Sequence, residues 1–591
     1  MGSPFYFGPP GAPLFGWWHA GDPASRRGVP VVICPPVGFD YVGTYRTFRN
    51  LALRLADCGF DVLRFDFPGT GDSSGMPTDD GLAHQWLASI GTAVEAAREI
   101  SGCRTVAVMG ARLGATMAAV AARDLPFVES LVVWSPYRSG KAYVREVKAL
   151  DVLSGANDPV TGAAVSAAGF TLTAETVAAL AGFDLLAIDH VPADRLLVIE
   201  RDDLDSDPKL LERVASWGPA VTADRTAGTG AAFTGPIASK PPIEIMDRIV
   251  QWLTMAHPVL GGTVAPTAAR PSVVTIAPGC RERPFIVGDG KPLFGLLSEP
   301  EGPGPVEEAV VFLNSGADYH IGPHRIFVPL ARECAAAGLL AYRFDLQGLG
   351  DSATSDSGAE NVSYPDHAVA DLGRAVAAIR RMTGVRRVLV VGLCSGGWHS
   401  IRAARAGLAV DGILAINPPL YFGRDEGKDE VLGHFEVTRY RHALSDRSKL
   451  VRLLTGKVSL RKVVRVLLAD ARRRIGGRLK KWSRRPASDQ TAEDIRWLSK
   501  ADFPTLVVFS QADLGWFHFD LHLPVAVRRR RGSIDWVVVP HADHTFRPPT
   551  AKAKLRDMAL EFILEWRKGS VRRDVRATRS SGRVRRARSA A

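Results

Sequence analysis

The segment Gly392-Leu393-Cys394-Ser395-Gly396 holds the residue best suited to covalent chemistry. It follows the apolar run Arg387-Val-Leu-Val-Val391 and precedes the helix-like stretch Trp398–Arg405. A strand, a tight turn with glycine at both ends and then a helix presents the central side chain at a helix N-terminus, where a thiolate is favoured and reactive. The matching turn in the first half reads Gly110-Ala111-Arg112-Leu113-Gly114, with Arg at the central position. Cys can form and break an acyl bond; Arg stays charged and cannot.

A cysteine nucleophile needs a base, and the base needs an orienting acid; the turn resembles the nucleophile elbow of α/β-hydrolases, which implies the chain order nucleophile, acid, base. Asp513 follows the apolar run Thr505–Phe509, and His544 follows Trp536–Val539. This reads as a triad of Cys394 as nucleophile, His544 as general base and then acid, and Asp513 as the residue that holds the imidazole. Asp520 and Asp543 compete with Asp513, and His541 competes with His544. Ser395 competes with Cys394, but that register puts Leu393 where the turn wants a small side chain. The oxyanion donors are expected to be the Ser395 N–H and an N–H from the loop Asn314-Ser-Gly-Ala317, at Gly316 or Ala317. Asp345 and Asp351 sit in a motif that occurs twice and read as structural turn residues.

The first half lacks these parts. No His lies between His190 and His257, where a base should fall. A cation at a helix N-terminus opposes the macrodipole, so Arg112 calls for an anion. The acidic cluster Glu200–Asp207 is one candidate, and a bound anionic ligand held by Arg112 and the helix N–H groups is the other.

What positions these residues is a repeat. Pro13-Leu-Phe-Gly16 recurs as Pro292-Leu-Phe-Gly295, and Arg64-Phe-Asp-Phe-Pro-Gly-Thr-Gly-Asp-Ser73 recurs as Arg343-Phe-Asp-Leu-Gln-Gly-Leu-Gly-Asp-Ser352. The two turns and the runs Leu131–Pro136 and Ile413–Pro418 keep the same order, at an offset of about 280 residues, so a whole domain is duplicated and not a solenoid unit. Each copy alternates short apolar runs with amphipathic stretches. Those runs are Pro30–Cys34, Val62–Phe65, Val106–Met109, Leu131–Trp134 and Leu196–Ile199, then Ala309–Leu313, Ala341–Phe344, Val388–Val391, Ile413–Ile416 and Thr505–Phe509. Continuous apolar strands alternating with helices predict parallel sheets covered on both faces. The expected division is a first domain 1–257, a linker 258–283, a second domain 284–568 and a disordered basic tail 569–591. Terminal helices are expected at Ile243–Leu253 and Lys552–Trp566. Each domain carries an insertion after its Pro136 or Pro418 run. The second, about 420–502, is a basic amphipathic helical lid between Lys449 and Arg485.

The net charge is +12, and the stretch Arg567–Ala591 alone holds ten Lys/Arg against one Asp. Lid and tail could therefore touch an anionic lipid or polysaccharide. Nothing resembles a module that reads specific nucleic acid. Six Cys are scattered with no metal-ligand spacing, so neither metal nor disulfide framework is expected, and no cofactor motif is present. With no signal-peptide pattern and no long apolar span, a cytoplasmic protein is expected, peripheral at most to the inner face of the membrane.

On these motifs both halves resemble α/β-hydrolases of the serine aminopeptidase S33 type. The first, with Gly110-Ala-Arg-Leu-Gly-Ala115, is similar to the exosortase-associated hydrolases of bacterial exopolysaccharide systems. The second, with Gly392-Leu-Cys-Ser-Gly396 and Asn314-Ser-Gly-Ala317, is similar to members with a Cys at the turn. The resemblance implies an α/β fold: two tandem α/β-hydrolase domains, each a mostly parallel sheet flanked by helices, with helical lid insertions. It implies a small-molecule acyl ester or thioester as substrate. A Cys at this position also occurs in dienelactone hydrolases and polyester synthases of the same fold, which keeps acyl transfer to a saccharide or lipid precursor beside hydrolysis. A paired non-catalytic scaffold for surface-polysaccharide machinery is the third expectation.

Overall fold

In the computed structural model, residues 2–154, 163–191, 193–260, 273–302, 304–354, 358–419, 490–511, 513, 515–516, 519 and 534–569 are described. Most of the expected lid, the competing Asp520 and the basic tail beyond 569 lie outside them. The chain forms two compact units. One is Met1–Pro418 with Phe503–Ala512 and Trp536–Ala591; the other is Pro419–Asp502 with Asp513–Asp535. Of the second unit, the described part is chiefly the helix Gln490–Leu498.

The first unit holds the two sheets. In the first half the strands are β1 (Ser3–Phe7), β2 (Leu14–His19), β3 (Val31–Cys34), β4 (Val62–Phe65), β5 (Val106–Ala111), β6 (Val128–Trp134), β7 (Ala163–Ala167), β8 (Phe170–Thr173), β9 (Arg195–Ile199) and β10 (Ala220–Asp224). They form an eight-stranded sheet in the order β1-β2-β4-β3-β5-β6-β9-β10, with β7 and β8 a separate hairpin. In the second half the strands are β11 (Val274–Ala277), β12 (Cys280–Val287), β13 (Leu293–Pro300), β14 (Glu308–Leu313), β15 (Leu340–Phe344), β16 (Arg387–Leu393), β17 (Gly412–Ile416), β18 (Thr505–Ser510) and β19 (Ile534–Val539). Their order is β11-β12-β13-β15-β14-β16-β17-β18-β19, the same topology with one strand added at the edge. In both sheets the strands from β4 or β15 through β9 or β18 run parallel, and the preceding hairpins are antiparallel.

The expected interior strands were continuous apolar runs because helices cover both faces. Val31 and Ile33 face one core, with Phe48, Leu51 and Leu55 of the helix Phe39–Asp57 and Ile249 of the helix Ile243–Ala256. Val32 and Cys34 point the other way, toward Ile90 and Met117 on the helices Leu82–Ser101 and Leu113–Ala122. The alternation is the period of two expected of a strand, applied to two apolar faces at once. The stretch expected as linker differs: β11 and the start of β12 pair antiparallel inside 258–283, so the second sheet begins there. Among the described residues, no helix is long and apolar enough to cross a membrane.

The repeated motif joins the two halves reciprocally. Arg64 of the first copy donates to Asp351 of the second at 2.7 Å, and Arg343 of the second donates to Asp72 of the first at 2.5 Å. Tyr41 and Tyr319 share a hydroxyl hydrogen bond at 2.6 Å, and Phe15 packs on Phe294 with ring centroids 6.3 Å apart. Arg343 and Arg332 also donate to Glu282, and His320 lies between Asp72 (2.7 Å) and Asp345 (2.8 Å). Burial alone would strip the proton from His320, but the two carboxylates win and raise it to about 10. Arg325 inserts into the first copy's motif turn and donates to the carbonyls of Gly71, Ser73 and Gly75. Asp345 and Asp351 are structural, as expected, but Asp351 serves the other copy.

Candidate active site

Both turns adopt the same uncommon backbone. Cys394 has φ 54° and ψ −119°, and Arg112 has φ 54° and ψ −126°. A non-glycine residue there stores on the order of 1–3 kcal/mol of strain, which persists only where the surroundings fix it. They do. The Cys394 N–H donates to Ile416 O on β17 at 2.9 Å, and its carbonyl accepts from Trp398 N at 3.1 Å in the helix Ser395–Arg405. A Cβ on Gly392 would meet the Gly396 carbonyl carbon at 2.1 Å, and one on Gly396 would meet Asn314 O at 2.6 Å. Side chains at either end are excluded by backbone, so the spacing of the two glycines is a steric requirement.

This geometry distinguishes Cys394 from Ser395. Cys394 carries the left-handed φ and is half-buried. Ser395 begins the helix, is 1% exposed, and its Oγ accepts the Gly316 N–H at 2.8 Å. The same bond places the Asn314–Ala317 loop against the turn, with Gly316 at φ 59°. The Asn314 amide holds the loop by donating to Asp345 (2.9 Å) and accepting from Leu346 N (2.8 Å).

His544 lies in the loop after β19. Its carbonyl accepts from the Asn417 amide at 2.7 Å, while Asn417 Oδ1 accepts the Ser510 N–H at 2.7 Å. Asn417, itself at φ 43°, thereby ties the ends of β17 and β18 to the His544 segment, one strand away from the turn at the end of β16. His541 is exposed, whereas His544 is half-buried. Asp543 is engaged by the backbone and guanidinium of Arg547. Asp513 belongs to the second unit, where its carboxylate accepts the Gly515 N–H at 2.7 Å.

Two residues near the turn were missed in the sequence. Tyr364 places its hydroxyl 3.7 Å from Cys394 Sγ, with its ring against Trp398 and His399. No motif marks it, since it comes from an irregular loop. Asp318 is the repeat counterpart of Asp40, and burial pushes its carboxyl up to about 7. The shared Asp-Tyr pairs at 40–41 and 318–319 are the signal that could have found it.

The Arg112 turn is compensated differently from expectation. Its guanidinium does not pair with the Glu200–Asp207 cluster. Nε donates to Asp40 at 3.1 Å and Nη2 to Glu146 at 2.5 Å, and the group also hydrogen-bonds and lies over Tyr137. The carboxylates reach it from the helix Phe39–Asp57 and from the insertion helix Gly140–Ser154, elements the cluster's position did not suggest. Any anionic ligand at Arg112 has to displace one of them. Among the described residues, no group of three or more His, Cys, Asp or Glu is placed to hold a metal ion.

Comparison with known proteins agrees with this architecture. The sequence model described as serine aminopeptidase, S33 matches residues 40–187, and that of the alpha/beta hydrolase family matches 310–555. No curated protein matches the chain significantly. Similar solved structures include an alpha-beta serine hydrolase homologue from Coxiella burnetii, 12% identical, covering 48% of this chain and 97% of its own (TM-score 0.30). The Pyrococcus furiosus esterase Pf2001 is 12% identical over 49% of this chain and 92% of its own (TM-score 0.31). A proline iminopeptidase from Mycobacterium smegmatis is 16% identical over 49% and 99% (TM-score 0.31).

Proposed function

Because the chain consists of two tandem α/β-hydrolase domains, we propose that the second hydrolyses an ester or thioester through an acyl-Cys394 intermediate and that the first is catalytically inactive. The observation that carries this reading is the backbone of Cys394: a half-buried sulfur at φ 54°, held between two glycines that admit no side chain. In this mechanism Cys394 Sγ attacks the substrate carbonyl carbon, and His544 takes the thiol proton. The carbonyl oxygen, now negative, accepts from the Ser395 N–H and from the loop at Gly316 or Ala317. Gly316 is engaged by Ser395 Oγ in the resting site, so Ala317 or a turned Ser395 hydroxyl is needed to supply the second donor. The carbon–leaving-group bond breaks, and His544 returns its proton to the departing oxygen or sulfur. Water then attacks the thioester, its proton passes through His544 to Cys394, and the acid is released. Arg112 can form no such bond, and its charge is matched within its own domain.

The test is intact-mass analysis after incubation with p-nitrophenyl esters and acyl thioesters of several chain lengths. An acyl adduct is expected on the native chain and on Ser395→Ala, and none on Cys394→Ala. No adduct with any member of the panel, or one that survives Cys394→Ala, would sink the proposal. Repeating the reaction with an alcohol acceptor separates hydrolysis from acyl transfer.

A further inference from the structure

A cavity of about 230 Å³ opens beside the Arg112 turn, in the domain to which no chemistry is assigned. Its body is apolar: Phe39, Leu82, Trp86, Tyr143, Phe170 and Leu172 line it. Asp40, Tyr137 and Glu146, the partners of Arg112, also line it. A further wall comes from the second domain and includes His324, Arg325 and Lys552. The hairpin turn between β7 and β8 packs on that wall. A Cβ on Gly169 would fall 2.3 Å from the His324 ring, and the Gly169 carbonyl accepts from Lys552 Nζ at 2.9 Å.

The charges decide what such a cavity takes. Arg112 is matched by Asp40 and Glu146, one cation against two carboxylates. Arg325 and Lys552 add two cations, and among the described residues neither pairs with a carboxylate: Arg325 is spent on three backbone carbonyls and Lys552 on one. The lining itself holds Arg325 and Lys552 against Asp40 and Glu146, and Arg112, which pairs with both carboxylates from outside the lining, brings the group to three cations against two anions, with His324 held neutral by burial and by Lys552 and Arg547 beside it. Burial lowers Lys552 to about 8, so below that pH its ammonium is charged and keeps two N–H donors beyond its bond to Gly169 O. We propose that this cavity binds an amphipathic monocarboxylate, its apolar body among the aromatic and leucine side chains and its carboxylate on Lys552 Nζ. Such a site uses a charge-assisted hydrogen bond for orientation and apolar burial for affinity. It is independent of the acyl-Cys394 reading, since neither the Cys394 turn, nor the Asn314–Ala317 loop, nor His544 lines it.

The test is calorimetric titration of the full chain with octanoate, decanoate and 3-(2-naphthyl)propanoate, and with decan-1-ol and decylamine as neutral and cationic probes. At least one carboxylate is expected to bind at 1:1 and more tightly than either control. Lys552→Met should weaken it at least tenfold, leave decan-1-ol binding unchanged and leave the melting temperature within a few degrees. Lys552→Arg should keep most of the affinity. Cys394→Ala should not alter binding, whereas Leu172→Trp, which fills the cavity, should abolish it. No carboxylate binding, tighter binding of decylamine, or Lys552→Met binding like the native chain overturns the proposal. Loss of binding in Cys394→Ala would assign the ligand to the other turn and overturn it too.

Discussion

Replacing Arg343 by Met is the most informative perturbation of the interface between the two hydrolase domains. Arg343 is fully buried and bridges Asp72 at 2.5 Å and Glu282 at 2.9 Å. Around it, Arg332 and protonated His320 are the other cations, and Asp72, Glu282 and Asp345 are the anions. Three charges face three. Met fills a similar volume but leaves three buried carboxylates against two cations, and breaking a buried pair in this way costs about 3–5 kcal/mol. Arg343→Met/Asp72→Asn returns the cluster to two against two, so the double variant should recover at least about 1.5 kcal/mol relative to additivity. Arg64→Met, which strands Asp351 at the reciprocal position, should cost a similar amount. Urea unfolding followed by tryptophan emission reads this directly, because Trp17 packs against Phe294 across the same interface with ring centroids 4.6 Å apart. A loss below about 1 kcal/mol for Arg343→Met, or additivity with Asp72→Asn, would refute the argument that the cluster is a balanced, dry ion network.

Other outcomes follow from the same geometry. His320 is raised from 6.5 to about 10, so its contribution is full below pH 6.5 and is lost as pH rises through 10. Stability should therefore fall by on the order of 1 kcal/mol per pH unit between those limits, and His320→Gln should flatten that slope in urea titrations at pH 6 to 10. Arg112→Met leaves Asp40 and Glu146 against one another and should cost about 3 kcal/mol of unfolding free energy while leaving acylation of Cys394 unchanged. Gly396→Ala drives a methyl into Asn314 O and should abolish acyl labelling, with a drop in melting temperature. Tyr364→Phe removes the hydroxyl beside Sγ and should change the acylation rate at saturating probe but not the fold, read by stopped-flow and circular dichroism.

The interior of each sheet was legible because a strand covered on both faces must be apolar throughout. The runs at 62–65 and 413–416 coincide with or fall one residue inside β4 and β17. The antiparallel hairpins were not. In β12, Cys280-Arg-Glu-Arg-Pro-Phe-Ile-Val287, Glu282 is buried on one face because it joins the ion network, and half-buried Arg283 on the other pairs with Glu299, so neither face reads as continuously apolar. Spacing also identified Cys394, since a strand–turn–helix needs glycines at fixed offsets. It could not identify Asp40 and Glu146 as the partners of Arg112: they are 72 and 34 residues away and meet it only through the fold. Likewise Asp345 and Asp351 of the doubled motif read as turn residues, and the spacing gave no partner for its Arg64 and Arg343. Their partners lie 287 and 271 residues off, in the other copy.

The reciprocal pairing of Arg64 with Asp351 and Arg343 with Asp72 has the pattern of an isologous dimer interface, in which residue i meets j and j meets i. Read this way, the chain is a homodimer written as one polypeptide. In a homodimer every substitution is made twice. Once two copies share a chain, each position can change alone, and one turn can carry Arg while the other carries Cys. The half with the Arg112 turn still supplies Asp72 and Tyr41 to the other half's buried surface and so cannot be discarded. That history predicts that residues 1–260 and 273–591, produced as separate polypeptides, reassemble one-to-one; failure of the purified pieces to associate would contradict it.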